Sequence, residues 1–483
     1  MQFENTLSFA QNLDANDKLA HFKNQFHLLT NNNKHVVYLC GNSLGLQPKS
    51  ARLAVEQEFS DWAKMGVEGH FNAKNPWLGY HHFLTENAAK LVGAKPIEVV
   101  VMNNLTVNLH LMMVSFYQPT ATRYKIIMEA AAFPSDLYAM ETQVKHHHLN
   151  PENAIIELKP RAGEHTLRTE DIIDTINANS DSLALVMLGG VNYYTGQAFD
   201  MKAISKAAHE VGAFAGFDLA HAAGNLHLQL HDWEVDFAVW CTYKYLNSGP
   251  GGTSGVFVHE KHANSAINRF AGWWGHDEGE RFQMKKGFIP EPGAEGWQLS
   301  NVPVLQMAAH RAALDLFDQA GIENLRTKSL ALTSFMQFVI EEKNKSLGYE
   351  KYQIITPLQA NERGAQLSMI CKEGGRESFD NLVAQGIKVT VTASFDGIDR
   401  VHDYVRWPIK WTKYYKNLMI YKSMNIDLNL WTTVSTLNIN NMIDIVKFAR
   451  DNEIDHSYGL LDTPLALNVK FKNYENCCKI FNS

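Results

Sequence analysis

Two short stretches in the middle of the chain carry side chains that could do chemistry together. Phe217-Asp-Leu-Ala-His221 ends an apolar run in an acid, with a histidine shortly after it. Trp240-Cys-Thr-Tyr-Lys-Tyr-Leu-Asn247 ends a second apolar segment in a lysine, and the loop Ser248-Gly-Pro-Gly-Gly-Thr-Ser-Gly255 follows. The pattern puts Asp218 and Lys244 each at the carboxyl end of a strand, where a parallel sheet gathers its ligands. A lysine amine and a strand-end acid suit pyridoxal phosphate. The amine forms the Schiff base, and the acid faces the pyridinium nitrogen so that the ring stays an electron sink. Released from the aldehyde, Lys244 becomes a general base. The glycine loop is expected to let the backbone approach a ligand closely. Taken singly, Asp218 reads as a helix cap and Lys244 as a solvated loop residue. Acid, lysine and glycine loop in that order are specific.

An anion site is expected at Asn103-Asn-Leu-Thr-Val-Asn-Leu-His110. Asn104 to Thr106 would open a helix, and its free amides and the Thr106 hydroxyl can hold a phosphate. By itself that segment is equally an ordinary helix cap. Ala132-Phe-Pro-Ser-Asp136 follows a strand over 124–128. Phe133 could stack on a flat ring, or the segment is a turn around Pro134.

The elements that must position these groups show in the hydrophobic pattern. Ala184-Leu-Val-Met-Leu188 and Ala213-Phe-Ala-Gly-Phe217 are short apolar runs, and 201–211 between them has helical spacing. Apolar strands alternating with amphipathic helices predict an α/β fold with a mostly parallel sheet covered on both faces. Residues 305–345 read as long helices leading into a smaller domain. The segment 366–371 alternates as a strand, and 377–385 fits a helix. After Gly397 the only glycine is Gly459, and the texture turns to Asn, Lys, Tyr and Ile.

Bulk properties narrow the field. At 483 residues the chain exceeds one ordinary domain. A net charge of -7 with no basic block argues against nucleic acid as a partner. No run reaches the roughly 18–20 apolar residues of a membrane helix, and no signal peptide is visible. The five cysteines show no CxxC spacing, which fits reduced thiols in the cytoplasm. His146, His147 and His148 read as a solvated helix face, so no metal site is expected.

The chain resembles the kynureninase family from about residue 10 to about 387. The matching stretches are Tyr38-Leu-Cys-Gly-Asn-Ser-Leu-Gly45, Leu105-Thr-Val-Asn-Leu-His110, Phe133-Pro-Ser-Asp136 and Tyr194-Thr-Gly-Gln197. They continue with Gly216-Phe-Asp-Leu-Ala-His-Ala222, Tyr243-Lys-Tyr-Leu-Asn247, Gly272-Trp-Trp-Gly-His276 and Ser300-Asn301. The resemblance implies a fold-type-I pyridoxal-phosphate enzyme, with an N-terminal segment over 1–45, a large domain over 46–305 and a small domain over 306–387. It implies cofactor contacts from Leu105, Thr106, Phe133, Pro134, Ser135, Asp136, Asp218, His221, Tyr243 and Lys244. Trp273 and Asn301 would come from a second copy, which implies a homodimer with shared sites. Ser43, His70 and Asn301 correspond to substrate contacts. Lys244 and Tyr243 are the implied catalytic pair. A position that is often serine in relatives is Gly189 here.

The implied reaction is hydrolysis of L-kynurenine, or its 3-hydroxy form, to an anthranilate and L-alanine, within tryptophan breakdown and NAD biosynthesis. Another enzyme of the same fold, a desulfurase or an aminotransferase, is the alternative. Past Ile387 the match stops. The expected carboxylate-binding arginine has no counterpart in its usual setting, with Arg400 and Arg406 the nearest candidates. Thr390-Val-Thr-Ala-Ser-Phe-Asp-Gly397 and Tyr404-Val-Arg-Trp-Pro408 weakly resemble an internal radical-SAM fragment without its cysteines. Residues 388–483 thus read as an atypical, chimeric segment, and a cofactor-binding protein with impaired catalysis is a further alternative.

Overall fold

A computed structural model describes residues 2–31 and 33–389, residue 419, and the strands Asn429–Val434 and Asp455–Leu460. The chain divides into two compact units, residues 1–375 with 381–388, and residues 376–380 with 389–483. In the second unit the two described strands pair in parallel. Arg400, Arg406 and the elements compared above with a radical-SAM protein lie outside the described residues.

The first unit is built on α1 (His82–Val92), β1 (Val99–Met102), α2 (Leu105–Phe116), β2 (Lys125–Glu129), α3 (Pro134–His146), β3 (Ile155–Leu158), α4 (Thr169–Ala178) and β4 (Leu183–Gly189). It continues with α5 (Met201–Glu210), β5 (Phe214–Asp218), β6 (Phe237–Trp240), β7 (Ser254–Val258), α6 (Val304–Ala320) and α7 (Ile322–Leu347). The seven strands form one sheet in the order β1-β7-β6-β5-β4-β2-β3. Strand β7 runs antiparallel to both neighbours, and the pairs β6-β5, β5-β4, β4-β2 and β2-β3 are parallel.

The strand sequences explain the layers. Val99 and Val101 of β1 belong to one buried cluster, while Val100 and Met102 belong to another. The same alternation divides Leu185 and Met187 from Val186 and Leu188 in β4. Side chains of period two point to opposite faces, so a wholly apolar strand needs a helical layer on each side. Helices α1, α4, α5 and α6 cover one face, and α2 and α3 the other.

Sequence expectations meet the fold with small shifts. The runs at 184–188, 213–217 and 124–128 are strands β4, β5 and β2, and the helical pattern at 201–211 is α5. The long helical region divides at Gly321, whose φ of 74° breaks the helix between α6 and α7. The helix expected at 377–385 spans Gly375–Ala384. One expectation needs correcting. Only Met369–Cys371 of the segment 366–371 is a strand, paired antiparallel with Tyr352–Ile354. Gln366 instead donates its amide to the carbonyls of Tyr193 and Tyr194, and the Ser368 hydroxyl donates to Tyr194 as well. Those side-chain bonds hold the first half of the segment against the loop after β4.

Candidate active site

Strands β2, β4 and β5 end side by side, and each delivers its last residue to one cavity of about 190 Å³: Glu129, Gly189 and Asp218. The loop after β6 adds Tyr243 and Lys244, and the first turn of α2 adds Leu105 and Thr106. Phe133, Ser135 and Asp136 enter from the start of α3, where Pro134 occupies the first turn and sets the backbone for the helix. The sheet thus does what its topology predicts, collecting side chains from distant sequence at its carboxyl edge.

Lys244 is the centre of this group. Its Nζ lies 2.9 Å from His221 Nε2, 5.7 Å from the centroid of the Phe133 ring and 5.9 Å from that of Tyr243. Burial, with the neighbouring Lys244 charge adding to it, drives the His221 pKa down to about 3. The imidazole is therefore neutral and can accept from the ammonium. Its Nδ1 is buried with no hydrogen-bond partner.

Opposite stands a patch of buried acids. Asp218 accepts a hydrogen bond from the Ala220 amide at 2.7 Å. Its pKa is raised by burial, against the pull of that amide and of Lys244. Asp136 is raised well above the carboxylate range, first by burial and then by the Asp218 charge beside it. Glu129 rises to about 7 through burial, which outweighs the Asn192 amide and is reinforced by Asp218. Two carboxylates this close do not both ionise in a dry site unless a cation joins them. Tyr243 is pushed up to about 12 by burial, and next by Cys241, so its phenol keeps its proton and can act as a donor.

The far side of the cavity has a different construction. Asn104 accepts from the Val107 amide at 3.2 Å and caps α2, while the first intrahelical amide bond runs from Asn108 to Asn104. The amides of Leu105 and Thr106 therefore have no carbonyl partner within the helix, and the Thr106 side chain stands beside them at the cavity wall. An anion fits that end, where the helix dipole is positive. Asn104 itself serves as a cap.

These observations test the cofactor expected from the sequence. Three acids face one ammonium, a charge balance that a protonated ring nitrogen would correct. The helix start takes a phosphate, and Phe133 lies close enough to Lys244 to cover a flat ring bound to its amine. The residues fit pyridoxal phosphate.

Of the residues singled out in the sequence, Leu105, Thr106, Phe133, Ser135, Asp136, Asp218, His221, Tyr243 and Lys244 meet at this cavity. Ser43, His70, Trp273 and Asn301 do not line it within one chain. Ser43 and Asn301 are exposed, and Trp273 is 42% exposed. The segment carrying Ser43 does reach the lysine loop, because the Gly45 amide donates to the Tyr243 carbonyl at 2.8 Å. His70 packs edge-on against Trp77. The glycine loop 248–255 also departs from expectation. It turns the chain from Lys244 into β7, with Gly249 and Gly251 at φ of 93° and 67°, and does not line the cavity. Glu129, Val191, Tyr193 and Ala220 were missed. Glu129 carried the same signal as Asp218, an acid closing an apolar strand. At Gly189 a side chain would start 3.2 Å from Glu129 Oε1, so this glycine leaves room for that carboxylate.

A three-layer α/β sheet with a lysine after β6 and an acid at the tip of β5 defines the class, the fold-type-I transferase-like enzymes. The class-V aminotransferase family profile matches residues 37–394. A kynureninase of Flavobacterium psychrophilum is 54% identical over 388 residues, covering 80% of this chain and 91% of that protein. One of Myxococcus xanthus is 58% identical over 369 residues, covering 76% and 86%. The chain belongs to the kynureninase family. Among solved structures, a variant of C-DES with glycine covalently linked to its PLP cofactor aligns with a TM-score of 0.61 at 16% identity, covering 74% of this chain and 89% of that one. A cysteine desulfurase of Thermococcus onnurineus aligns with a TM-score of 0.57 at 16% identity, covering 81% and 88%. Those two likenesses speak to the fold.

Proposed function

We propose that this enzyme is a kynureninase, cleaving L-kynurenine with one water into anthranilate and L-alanine. The observation that carries this reading is the Lys244 amine beside a neutral His221, facing the buried carboxylate of Asp218. Pyridoxal phosphate, when bound, takes up the electrons released at the substrate carbons. The protein's own groups do the rest.

Asp218 would face the ring nitrogen of the bound cofactor and favour its protonated form, beside the carboxyls of Asp136 and Glu129 whose pKa values burial raises. The first-turn amides of α2 and the Thr106 hydroxyl would hold the phosphate, and Phe133 would cover the ring. Lys244 would hold the cofactor in the resting enzyme, and its freed amine is placed to remove the proton from the α carbon of the substrate. His221, held neutral, accepts a hydrogen bond from the Lys244 amine without competing for charge. Tyr243, with its phenol protonated, returns a proton to the substrate. Water adds to the γ carbonyl. The bond between the β and γ carbons breaks, leaving a carboxyl group on the aromatic fragment and a proton on the β carbon.

The desulfurase alternative would need a catalytic cysteine at the cavity. Cys371 lies in the strand Met369–Cys371, and its thiol meets the Glu373 carbonyl. Among the described residues nothing favours the aminotransferase or the impaired-chimera reading; the unmatched tail that suggests the latter lies mostly outside them. A homodimer in the cytoplasm is part of the proposal. The exposed Trp273 and Asn301, which do not line the Lys244 cavity of their own chain, support shared sites. No helix among the described residues is long and apolar enough to cross a membrane.

Two measurements test the reading. Protein loaded with pyridoxal phosphate should show a visible absorption band, and borohydride should leave the reduced adduct on Lys244. Kynurenine should then yield anthranilate fluorescence and an equal amount of alanine. A loaded enzyme that releases sulfide from cysteine, and no anthranilate from kynurenine, would replace this assignment with the desulfurase.

A further inference from the structure

Away from the cavity, the start of α1 holds a second cluster of reactive side chains. His81 and His82 are adjacent in sequence, and Glu295 reaches them from the turn Gly293–Trp297. Glu295 Oε2 lies 3.4 Å from His81 Nε2 and 3.3 Å from His82 Nε2. The three ligand atoms all fall within 4.8 Å of one another. Donors bound to one tetrahedral zinc at about 2.0–2.1 Å stand roughly 3.4 Å apart. Both separations match that spacing; the His82 contact is at the same time a long hydrogen bond, while His81 makes none.

His81 supplies an independent observation. Its side chain is 3% exposed, and neither ring nitrogen has a hydrogen-bond partner. Nε2 is near Glu295 but off the line of a hydrogen bond. A buried imidazole in that condition is costly unless something coordinates it. The contrast with the other such trio, Glu98, His231 and His259, is direct. There Glu98 accepts from His231 at 2.9 Å and from the amides of Lys95 and Glu260 at 2.8 Å. His259 accepts from the Lys261 amide at 3.1 Å. That network is closed by hydrogen bonds and asks for no ion.

The charge around the first trio favours a cation. Glu278 and Glu291 add negative charge near His82. Access is open, with the side chains of His82 and Glu295 46% and 25% exposed.

We propose that His81, His82 and Glu295 form a zinc site, with three protein ligands and the fourth position open to water. Two nitrogens and one carboxylate are a set that zinc takes readily. The ion ties the start of α1 to the turn that leads into Asn301. It acts as a clamp on this part of the fold, outside the chemistry at Lys244. The sequence reading, drawn to His146–His148, had expected no metal.

The test uses the full chain loaded with pyridoxal phosphate. Zn²⁺ is titrated in competition with a chromophoric chelator, and Co²⁺ is followed by its visible absorption. The parent should bind one ion that His82→Ala and Glu295→Gln each weaken at least tenfold. Zn²⁺ should raise the melting temperature of the parent by a few degrees and leave both variants unmoved. A triple alanine variant at His146, His147 and His148 should bind at this site as the parent does. Glu295→Cys, which keeps a ligand, should hold Co²⁺ and show the charge-transfer band of a bound thiolate. Equal affinity in the parent and His82→Ala, or a folded Glu295→Cys protein without that band, overturns the proposal.

Discussion

The two ends of the active-site cavity are built on opposite principles. Around Asp218, three carboxyl groups are buried together; desolvation is the main force on each, and the Asp218 charge adds to it at Asp136 and Glu129. At the start of α2 there is no charged side chain among the contacts, only first-turn amides and the Thr106 hydroxyl. One end stores unfavourable electrostatics that a cationic ring relieves. The other offers a ready anion site that costs the empty protein little. The comparison teaches that the acidic end should govern chemistry and pH behaviour, while the helix end should govern how tightly the cofactor is held.

Removing the amine tests what both ends serve. Lys244→Ala should lower kcat on the order of 10³-fold or more, since proton transfer and cofactor attachment are lost together. Steady-state anthranilate release and the missing borohydride adduct check this. Asp218→Asn keeps the shape and removes the charge, so kcat should drop about 10²-fold while the protein still takes up the cofactor. Activity that survives this change would break the assignment of the acidic end.

A third prediction concerns pH. The folded-state pKa of Glu129, about 7, is raised from an ordinary value of 4.5. The folded, cofactor-free protein keeps this proton up to pH 7, whereas the unfolded chain releases it near 4.5. Stability therefore falls as pH rises between those values, by a few kcal/mol, and levels off above. Urea unfolding of Glu129→Gln should lack that share of the slope. Thr106→Ala sharpens the other side. It should weaken pyridoxal phosphate about tenfold, the worth of one hydrogen bond to a charged group, and leave kcat of the saturated enzyme within a few-fold. Equilibrium titration with the cofactor gives the answer.

The sequence made the strand-end groups legible because an apolar run that stops at Asp218, or shortly before Lys244, signals both burial and position. The same argument applied to Lys125-Ile-Ile-Met-Glu129 would have found Glu129, but no lysine or glycine loop followed to draw attention to it. The glycine loop was misread because sequence shows that positive φ is available without saying whether a ligand or a chain reversal uses it. The 366–371 strand was overextended because alternation cannot reveal that Gln366 and Ser368 find partners on the loop after β4. The His81, His82 and Glu295 cluster was invisible, since its acid lies more than two hundred residues from its histidines and only the fold joins them.

Strand β7, the one reversed member of the large sheet, has an effect on the lysine that its neighbours lack. Lys244 rides on a hairpin whose two legs, β6 and β7, are zipped directly to each other, with Trp240 opposite Gly255. A side chain at Gly255 would begin 2.2 Å from the buried indole of Trp240. Sliding the hairpin by one step would push Ser254 or Val256 into that ring, so misalignment is blocked by steric bulk. The reactive nitrogen therefore inherits the positional accuracy of a locked zipper, because Lys244 follows closely on Trp240, the last residue of the first leg.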